Sequence, residues 1–268
     1  MPGEPVPGNL LAGRRALILG VANDHSIAWG IAKAFAAHGA ELAFTYQGEG
    51  FGRRVVPLAE SLGAAIIQPA DVQHEASLDA LFARIGSEWG RLDVLVHAIA
   101  YSDKAELDGR FLDTSRANFT RSLEISCYSL VDLTRRAAPL MTNGGSVLTL
   151  TYIGAQRVTP HYNVMGVAKA ALESAVRYLA NDLGPEGIRV NAISPGPMRT
   201  LAGAAIAGAR KVYHATERNA PLRANATLEA VGGTAVYLAS DLGACTSGEV
   251  IFVDGGFHVL GMAQPENL

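Results

Sequence analysis

Tyr162 and Lys169 are the two residues of this sequence whose types and spacing best suit catalysis. Seven positions separate them, which on an α-helix is about 700°, nearly two turns, so both would lie on one face. A phenol beside an ammonium group can act as an acid catalyst, because the cation lowers the phenol pKa. Tyr152 precedes Tyr162 by ten residues. Since a Tyr–Lys pair at this spacing also occurs by chance, its interpretation depends on the elements around it.

A buried strand, a loop and a helix in succession would position these side chains. The strand is 146–151, the loop carries Tyr152, and the helix presents Tyr162 and Lys169. Tyr152 would then lie at the carboxyl end of the strand, where parallel sheets usually bind their ligands. Small and apolar residues form one stripe on the helix, namely Ala168, Ala171, Leu172, Ala175 and Leu179. Such a stripe suits either the core or a subunit interface.

A glycine-rich turn follows the first apolar run, 14–20, and leads into a helix. Strand, turn and helix in this order open many dinucleotide sites, because backbone N–H groups and the helix N-terminus can face a pyrophosphate. Residues 20–30 read GVANDHSIAWG, which is not the G-x-G-x-x-G spacing. An ordinary turn between strand and helix is therefore the alternative.

The residues after the second and third strands bear on the choice of nucleotide. At the end of strand 41–46, an acidic or polar side chain would meet an adenosine ribose, and a basic one would meet a 2′-phosphate. Gln47 and Glu49 stand there, and the first cations come several residues later. The sequence therefore favours NADH over NADPH. Asp71, after the third strand, could accept a hydrogen bond from an adenine amine or cap a turn.

Seven short apolar runs alternate with helical patterns along the chain. The predicted strands are 14–20, 41–46, 64–69, 92–99, 146–151, 188–194 and 249–254. Among the helices, a long one is expected from about Ser115 to Ala138 and another over 227–239. This alternation predicts an α/β fold, a single-domain Rossmann-type doubly wound parallel sheet of seven strands with helices on both faces.

Composition and charge argue against several other classes of protein. The net charge of −3 and the pI near 6.2 disfavour nucleic acid as the main partner. Cys127 and Cys245 form no disulfide framework and suit a reducing compartment. With no signal peptide and no membrane-spanning apolar run, a soluble cytoplasmic protein is expected. The sequence offers no metal-ligand cluster and no G-x-S-x-G motif. His97, on a strand, is interpreted as a satisfied core residue.

With these pieces placed, the chain resembles the short-chain dehydrogenase/reductase superfamily and, within it, the bacterial NADH-dependent enoyl-acyl-carrier-protein reductases. The resemblance covers about residues 11–261, and its most specific stretches are GVANDHSIAWGIA, AELAFTYQ, LTYIGAQRVTPHYNVMGVAKA, GPEGIRVNAISPGPMRTLA and GEVIFVDGG. Ordinary members of the superfamily have Tyr-x3-Lys and a catalytic Ser on the fifth strand. In this chain position 166 is Gly, and the fifth strand delivers Tyr152. This Tyr-x6-Lys pattern resembles the enoyl reductase branch.

The resemblance implies a reaction and a role for each matching residue. NADH would reduce the trans-2 double bond of an enoyl thioester, and Tyr162 would hydrogen-bond or protonate the developing enolate oxygen. Lys169 would hold the nicotinamide ribose, while Tyr152 and Ala100 would line the substrate site. The other residues that match cofactor positions of the family are Gly20, Ser26, Ile27, Gln47, Asp71, Val72, Ile99, Ile193 and Thr200.

The resemblance also implies an acyl-carrier-protein-bound enoyl substrate, a homotetramer and a substrate lid over 199–223. The lid begins with an apolar stretch, LAGAAIA, and its glycines leave it mobile. Five cations against one Glu in the lid could dock an acidic carrier protein. An ordinary solvated helix is the alternative, and Ala207 stands where the family often has a cation. We expect one domain over 13–262, with tails at 1–12 and 263–268.

Two other functions stay open at this point. A carbonyl-reducing member of the same superfamily would act on ketones or sugars, although Gly166 and the absence of the strand-five catalytic Ser speak against it. A non-catalytic dinucleotide-binding redox sensor would need neither Tyr162 nor Lys169 nor the lid, so their joint presence disfavours it.

Overall fold

Seven parallel strands form a single sheet in this protein. The structure, a computed structural model, describes residues 7–201, 203 and 208–267. The strands are β1 (Arg15–Leu19), β2 (Glu41–Tyr46), β3 (Ile66–Pro69), β4 (Val94–His97), β5 (Gly145–Leu150), β6 (Ile188–Pro195) and β7 (Val250–Val253). Their order is β3-β2-β1-β4-β5-β6-β7, and every neighbouring pair is parallel. The predicted doubly wound parallel sheet of seven strands is confirmed.

Helices cover both faces of the sheet. Within the described residues they are α1 (Ile27–Ala37), α2 (Gly48–Ser61), α3 (Glu75–Trp89), α4 (Arg116–Leu123), α5 (Ser129–Ala137), α6 (Asn163–Leu183), α7 (Ala209–Asn219) and α8 (Leu228–Ala239). One core layer lies under α1, α2 and α8, and the other under α3, α5 and α6. Because strands such as β1 alternate their side chains between these two layers, both faces of each strand must be apolar, which explains the continuous apolar runs of the sequence.

The long helix expected over 115–138 is interrupted. A π-helical segment, Glu124–Tyr128, separates α4 from α5. Within it, the Ser126 hydroxyl accepts from the Tyr101 N–H at 2.9 Å and donates to the Tyr101 carbonyl at 3.1 Å. The helix therefore bulges where it meets the loop that follows β4. Such single-turn π segments are frequent at functional sites.

Described residues of both segments that were expected to be tails, 1–12 and 263–268, contact the rest of the fold. Leu11 is fully buried, and its N–H donates to the His38 carbonyl at 3.0 Å. At the other end, the Gln264 N–H donates to Asn219 Oδ1 at 2.8 Å. The packed region thus begins before residue 13 and continues past residue 262. The Pro- and Gly-rich sequence at the start of the chain contains no pattern that predicts the burial of Leu11.

No helix within the described part of the chain is long and apolar enough to cross a membrane.

Small residues allow α1 and α8 to approach each other closely. A Cβ atom built on Gly232 of α8 would lie 2.9 Å from the Ala34 Cβ and from the Gly30 carbonyl oxygen of α1. The neighbouring Gly233 is exposed, and a Cβ there would have no heavy atom within 4 Å. The two glycines therefore share a helix and differ in the space around them.

We expect Gly232→Ala to lower the free energy of unfolding by about 1–3 kcal/mol, because the added methyl group overpacks the helix contact. Gly233→Ala is the matched control and should raise it by up to about 1 kcal/mol, since Ala is the better helix former. Urea denaturation followed by circular dichroism measures both. Equal effects of the two substitutions would show that the contact between α1 and α8 is not tight.

Candidate active site

The order of the strands reverses at β1 and β4, and ligands of doubly wound sheets bind outside the carboxyl ends of strands at such a point. Gly20 follows β1 with a φ of +97°, and a Cβ there would overlap the carbonyl oxygen of Ala98, which follows β4. Only glycine fits this approach. The glycine-rich turn therefore brings the backbone after β1 against the backbone after β4.

Ser26 braces the turn between Gly20 and α1. Its side chain is buried, and its hydroxyl accepts from the N–H groups of Ala22 at 3.0 Å and Asn23 at 3.1 Å. Ile27 is the first residue of α1, so its N–H is among those that lack a partner within the helix. Of these two predicted residues, Ser26 holds the turn by hydrogen bonds, and Ile27 begins the helix.

Gln47 and Asp71 meet at the far end of the cleft. The Gln47 amide donates to Asp71 Oδ2 at 2.9 Å, and the Gln73 N–H donates to Asp71 Oδ1 at 3.0 Å. Burial acts to raise the pKa of Asp71, but the hydrogen bonds from Gln73, Gln47 and His74, with the charge of His74, outweigh it and lower that pKa. Asp71 thus caps its own turn and also presents a carboxylate at this edge. Val72 beside it is half-buried against the core.

Tyr162 lies immediately before α6 and packs edge-on against Tyr152. The two ring centroids are 5.0 Å apart, with an interplanar angle of 66°. Tyr162 is 8% exposed and belongs to an apolar cluster with Leu107 and Met165. The fold therefore joins the two tyrosines that the sequence separates by ten residues, in a largely apolar setting at the carboxyl ends of the strands.

The backbone on both sides of Tyr162 adopts a rare conformation. His161 has a φ of 62° and Asn163 a φ of 39°, values that residues other than glycine seldom adopt. The Asn163 amide donates to the carbonyl of Leu107 at 3.1 Å and to that of Gly109 at 3.3 Å. Backbone strain of this kind costs roughly 1–3 kcal/mol per residue and clusters at functional sites. No residue pattern around Tyr162 predicted this strain.

Gly166 explains why a Lys cannot stand four residues after Tyr162. A Cβ at 166 would lie 2.8 Å from the carbonyl oxygen of Gly154, which belongs to the turn after Tyr152. A Cβ at Gly154 would in turn overlap the Tyr162 ring. Because these two glycines permit contact between the turn and α6, position 166 cannot carry the cation, and Lys169 stands one turn further on the same helical face.

Lys169 is buried, and its ammonium group donates to the Leu150 carbonyl at the end of β5, at 2.7 Å. Desolvation by burial lowers the Lys169 pKa to about 8, against the opposing influence of Cys127 and Glu173. The predicted lowering of the Tyr162 pKa is wrong. Burial raises the pKa of Tyr162 well above its usual value, with smaller contributions from Tyr152 and Glu173. Removal of the phenol from water outweighs the effect expected of Lys169.

Burial also raises the pKa of Tyr152 to about 12. Both phenols therefore keep their protons at neutral pH and can donate hydrogen bonds.

His97 is a satisfied core residue, as interpreted from the sequence. It is fully buried, and its ring nitrogens lie 2.8 Å from the hydroxyls of Thr149 and Ser129. Burial and the charge of Lys169 lower its pKa to about 3, so the ring is neutral. His97 joins β4 and β5 to the residue that follows the π segment.

The remaining predicted residues take different places. Ile99 is half-buried and Ala100 exposed after β4, and Thr200 lies in the loop after β6. Ile193 differs, because its side chain is fully buried and its carbonyl accepts from the Thr151 N–H at 2.9 Å. The Ile193 side chain thus does not reach the surface of the cleft.

The expected lid contains α7. In the apolar stretch LAGAAIA, 201–207, residues 202 and 204–207 lie outside the described residues, and Ala207 is the last of them. Arg210 and Lys211 are exposed in the first turn of α7, and Arg199 stacks on the Tyr213 ring at 4.7 Å.

Residues 20–258 match a family model described as enoyl-(acyl carrier protein) reductase. This chain belongs to the enoyl-acyl-carrier-protein reductase family. The resemblance identified from the catalytic stretch and the phosphate turn is therefore confirmed.

Individual members of the family are similar over nearly the whole chain. The enoyl-[acyl-carrier-protein] reductase [NADH] 2 of Rhizobium meliloti (strain 1021) is 56% identical over 97% of each chain. The enoyl-(acyl-carrier-protein) reductase of Anaplasma phagocytophilum, solved in complex with NAD, has a TM-score of 0.94 and is 56% identical, over 97% of this chain and 99% of that one. The Bacillus cereus enoyl-acyl carrier protein reductase with NADP+ and indole naphthyridinone has a TM-score of 0.93 and 48% identity, over 95% and 100%.

Sequence reasoning missed Glu173, a buried carboxylate of this enoyl reductase fold. It is 5% exposed and accepts from the Thr151 hydroxyl at 2.8 Å and the Gln156 amide at 3.0 Å. Its position four residues after Lys169, on the same helical face, was the signal that could have found it.

The close approach at Gly20 yields a testable prediction. Gly20→Ala should weaken NADH binding by about tenfold or more, because the methyl group forces the two strand ends apart. Gly13→Ala is the matched control, since Gly13 also has a positive φ, +73°, and its Cβ would have no heavy atom within 4 Å. Both should lose about 1–2 kcal/mol of stability from the left-handed backbone, and Gly20→Ala should lose more, because its Cβ would overlap the Ala98 carbonyl. Fluorescence titration with NADH measures the affinity, and a native dissociation constant in Gly20→Ala would contradict the assignment of this turn.

Proposed function

We propose that this protein uses NADH to reduce the trans-2 double bond of enoyl-acyl-carrier-protein thioesters, the last step of the fatty acid elongation cycle. The observation that supports this best is the buried, protonated phenol of Tyr162. It lies against Tyr152 at the carboxyl edge of a dinucleotide-type sheet, in a chain that belongs to the enoyl reductase family.

The residues along the cleft fit a dinucleotide. Gly20 leaves no side chain between the ends of β1 and β4, and Ile27 is the first residue of a helix whose N-terminus favours a pyrophosphate. Gln47 and Asp71 form a polar pair where an adenosine would lie, with no cation of the kind that a 2′-phosphate needs among them. NADH bound along this edge would supply the hydride that reduces the β-carbon of the enoyl thioester.

Tyr162 would stabilise the charge that develops on the thioester oxygen. Because burial raises its pKa, the phenol is protonated at neutral pH and can donate a hydrogen bond to that oxygen. A preorganised donor in an apolar site costs little reorganisation as the oxygen becomes negative, which is the usual source of such catalysis. The same proton can then pass to the enolate.

Lys169 and Tyr152 would assist from either side. Lys169 supplies positive potential at the end of β5 while its pKa of about 8 leaves it mostly protonated at neutral pH, and it would hold the nicotinamide ribose. Tyr152 lies against the Tyr162 ring and would orient the acyl group, with Ala100 at the exposed side of the cleft. Val72, Ile99, Thr200 and the backbone of Ile193 would complete the cofactor site.

The first turn of α7 would dock the acidic carrier protein. Arg210 and Lys211 are exposed there, and the turn contains no acidic residue. Cations at a helix N-terminus are electrostatically unfavourable for the helix itself, because its macrodipole is positive at that end. Their presence is thus better explained by an acidic partner than by the stability of α7.

A homotetramer and a cytoplasmic location complete the proposal. Large apolar side chains are exposed on α4, the π segment and α6, among them Phe119, Tyr128 and Tyr178, and such surfaces mark protein interfaces. Sedimentation velocity tests the tetramer. Cys127 and Cys245 are both free thiols, which suits a reducing compartment.

The function is tested by following NADH oxidation with a series of enoyl thioesters of four to twelve carbons. We expect turnover with the enoyl series and none with acetoacetyl thioesters. The opposite preference would indicate a carbonyl reductase. Binding of NADH without turnover of any thioester would indicate a redox sensor and would overturn the proposal.

We expect Tyr162→Phe to lower kcat by about 10²–10³-fold, because it removes one donor to the charged oxygen. NADH affinity should stay unchanged. Tyr237→Phe is the control, since it removes a phenol hydroxyl whose partner is Thr246 and which has no part in the proposed site. A native kcat in Tyr162→Phe would contradict the proposed mechanism.

Replacing both Arg210 and Lys211 by Ala should raise KM for carrier-protein substrates about 5- to 10-fold, as expected for the loss of two exposed ion pairs. The rate with an enoyl N-acetylcysteamine thioester, which lacks the carrier protein, serves as the control and should not change. The defect should also shrink at high salt, because exposed charges are screened. Equal KM values in the variant and the native protein would leave α7 without a docking role.

A further inference from the structure

Glu173 is a buried carboxyl group that contacts the turn carrying Tyr152, and the mechanism above does not use it. It lies on α6 one turn after Lys169, and both side chains are 5% exposed. Burial of a single charge is costly unless an opposite charge lies nearby. The two donors that contact Glu173, the Thr151 hydroxyl and the Gln156 amide, are neutral. Along α6, Lys169 stands four residues before Glu173 and Arg177 four residues after it, but Arg177 is exposed, so the buried opposite charge is Lys169.

The same carboxylate connects the two ends of one short turn. Thr151 and Gln156 bound the segment that carries Tyr152, and each donates to a different oxygen of Glu173, at 2.8 and 3.0 Å. Between these two anchors, Gly154 lies against Gly166 of α6. The turn after β5 is thus attached to α6 at both ends, and Tyr152 is the residue next to the first anchor.

We infer that Glu173 is a positioning residue with two tasks: it holds the Tyr152 turn against α6, and it supplies the buried countercharge of Lys169. The kinetic consequence rests on the proposed function, whereas the electrostatic consequence does not. Without a negative charge at 173, Lys169 would lose its proton at lower pH, and the site would lose its cation near neutrality.

The groups that face Lys169 come from three elements. Glu173 lies on its own helix, Cys127 belongs to the π segment, and His97 lies on β4. Burial raises the pKa of the Cys127 thiol, and the low pKa of His97 keeps that ring neutral. Cys127 and Glu173 are the two groups that raise the Lys169 pKa, and because burial holds the thiol protonated, Glu173 is the one that can act as the countercharge. The protonated fraction of Lys169 falls as the pH rises through about 8, and a lower pKa would move this loss toward neutral pH.

The test uses NMR of the full-length protein labelled with 13C at lysine Cε, because the chain contains only four lysines, at positions 33, 104, 169 and 211. In the native protein, the signal that disappears in Lys169→Met should titrate with a midpoint near pH 8. In Glu173→Gln, which keeps the side-chain shape, this midpoint should fall by about one to two pH units. An unchanged midpoint would overturn the countercharge.

Two control variants separate charge from anchoring. Glu60→Gln removes the same charge from the exposed face of α2 and should leave the Lys169 midpoint in place. Thr151→Val removes one anchor and keeps the charge, so the midpoint should stay near 8 while kcat/KM for an enoyl thioester falls about 5- to 10-fold at pH 7. If Thr151→Val lowers the midpoint as much as Glu173→Gln, the countercharge is wrong. Native kinetic constants in Thr151→Val would refute the anchoring role.

Glu173→Asp covers the case in which Glu173→Gln does not fold. It retains the charge and shortens the reach by one methylene group, so the Lys169 midpoint should stay within about half a unit of the native value while kcat/KM falls. A midpoint lowered as far as the prediction for Glu173→Gln would contradict the inference. Absence of turnover in the native protein would refute the proposed function alone, since the lysine titration would still measure the countercharge.

Discussion

The contact between the turn after β5 and the first two turns of α6 is the constraint on which the site depends. Gly154 and Gly166 bring the two segments within backbone contact, and the Tyr162 ring closes over the same glycines. A side chain at either position would separate Tyr152 from Tyr162. Because the space at 166 is taken, the cation moves one further turn along α6 to Lys169, where it meets the carbonyl of Leu150. Packing thus excludes a Lys four residues after Tyr162.

Polar groups buried beneath this contact connect it to the sheet. His97 reaches Thr149 on β5 and Ser129 at the start of α5, and the Ser129 hydroxyl donates to the Ile125 carbonyl at 2.6 Å. Each side-chain polar atom of this hydrogen-bond network therefore has a partner, as buried groups require. The π segment is held on one side by this network and on the other by Ser126, which bonds to the backbone of Tyr101.

Much of this fold could be predicted from the sequence, because the strands are buried on both faces and appear as uninterrupted apolar runs. β2 has the predicted boundaries, and no boundary of the other strands differs from its prediction by more than two residues. The family resemblance, carried by local motifs, was equally accessible. Features that depend on contacts between residues far apart in the sequence could not be predicted. The raised pKa of Tyr162 follows from its burial. The positive φ values of His161 and Asn163 accompany the hydrogen bond from Asn163 to Leu107, and the π segment lies where Ser126 bonds to Tyr101.

The π segment also bears on how this chain can tolerate changes in length. A π turn closes its hydrogen bonds over five residues where an α turn uses four, so Glu124–Tyr128 carries one residue more than an uninterrupted helix would need. Deleting a single residue from this segment would let α4 and α5 merge with their buried faces still in phase. The same deletion within α6 would rotate every later side chain by about 100° and turn its apolar face to solvent. A relative whose π segment is one residue shorter could therefore keep the whole fold and differ only where Ser126 contacts the Tyr101 backbone.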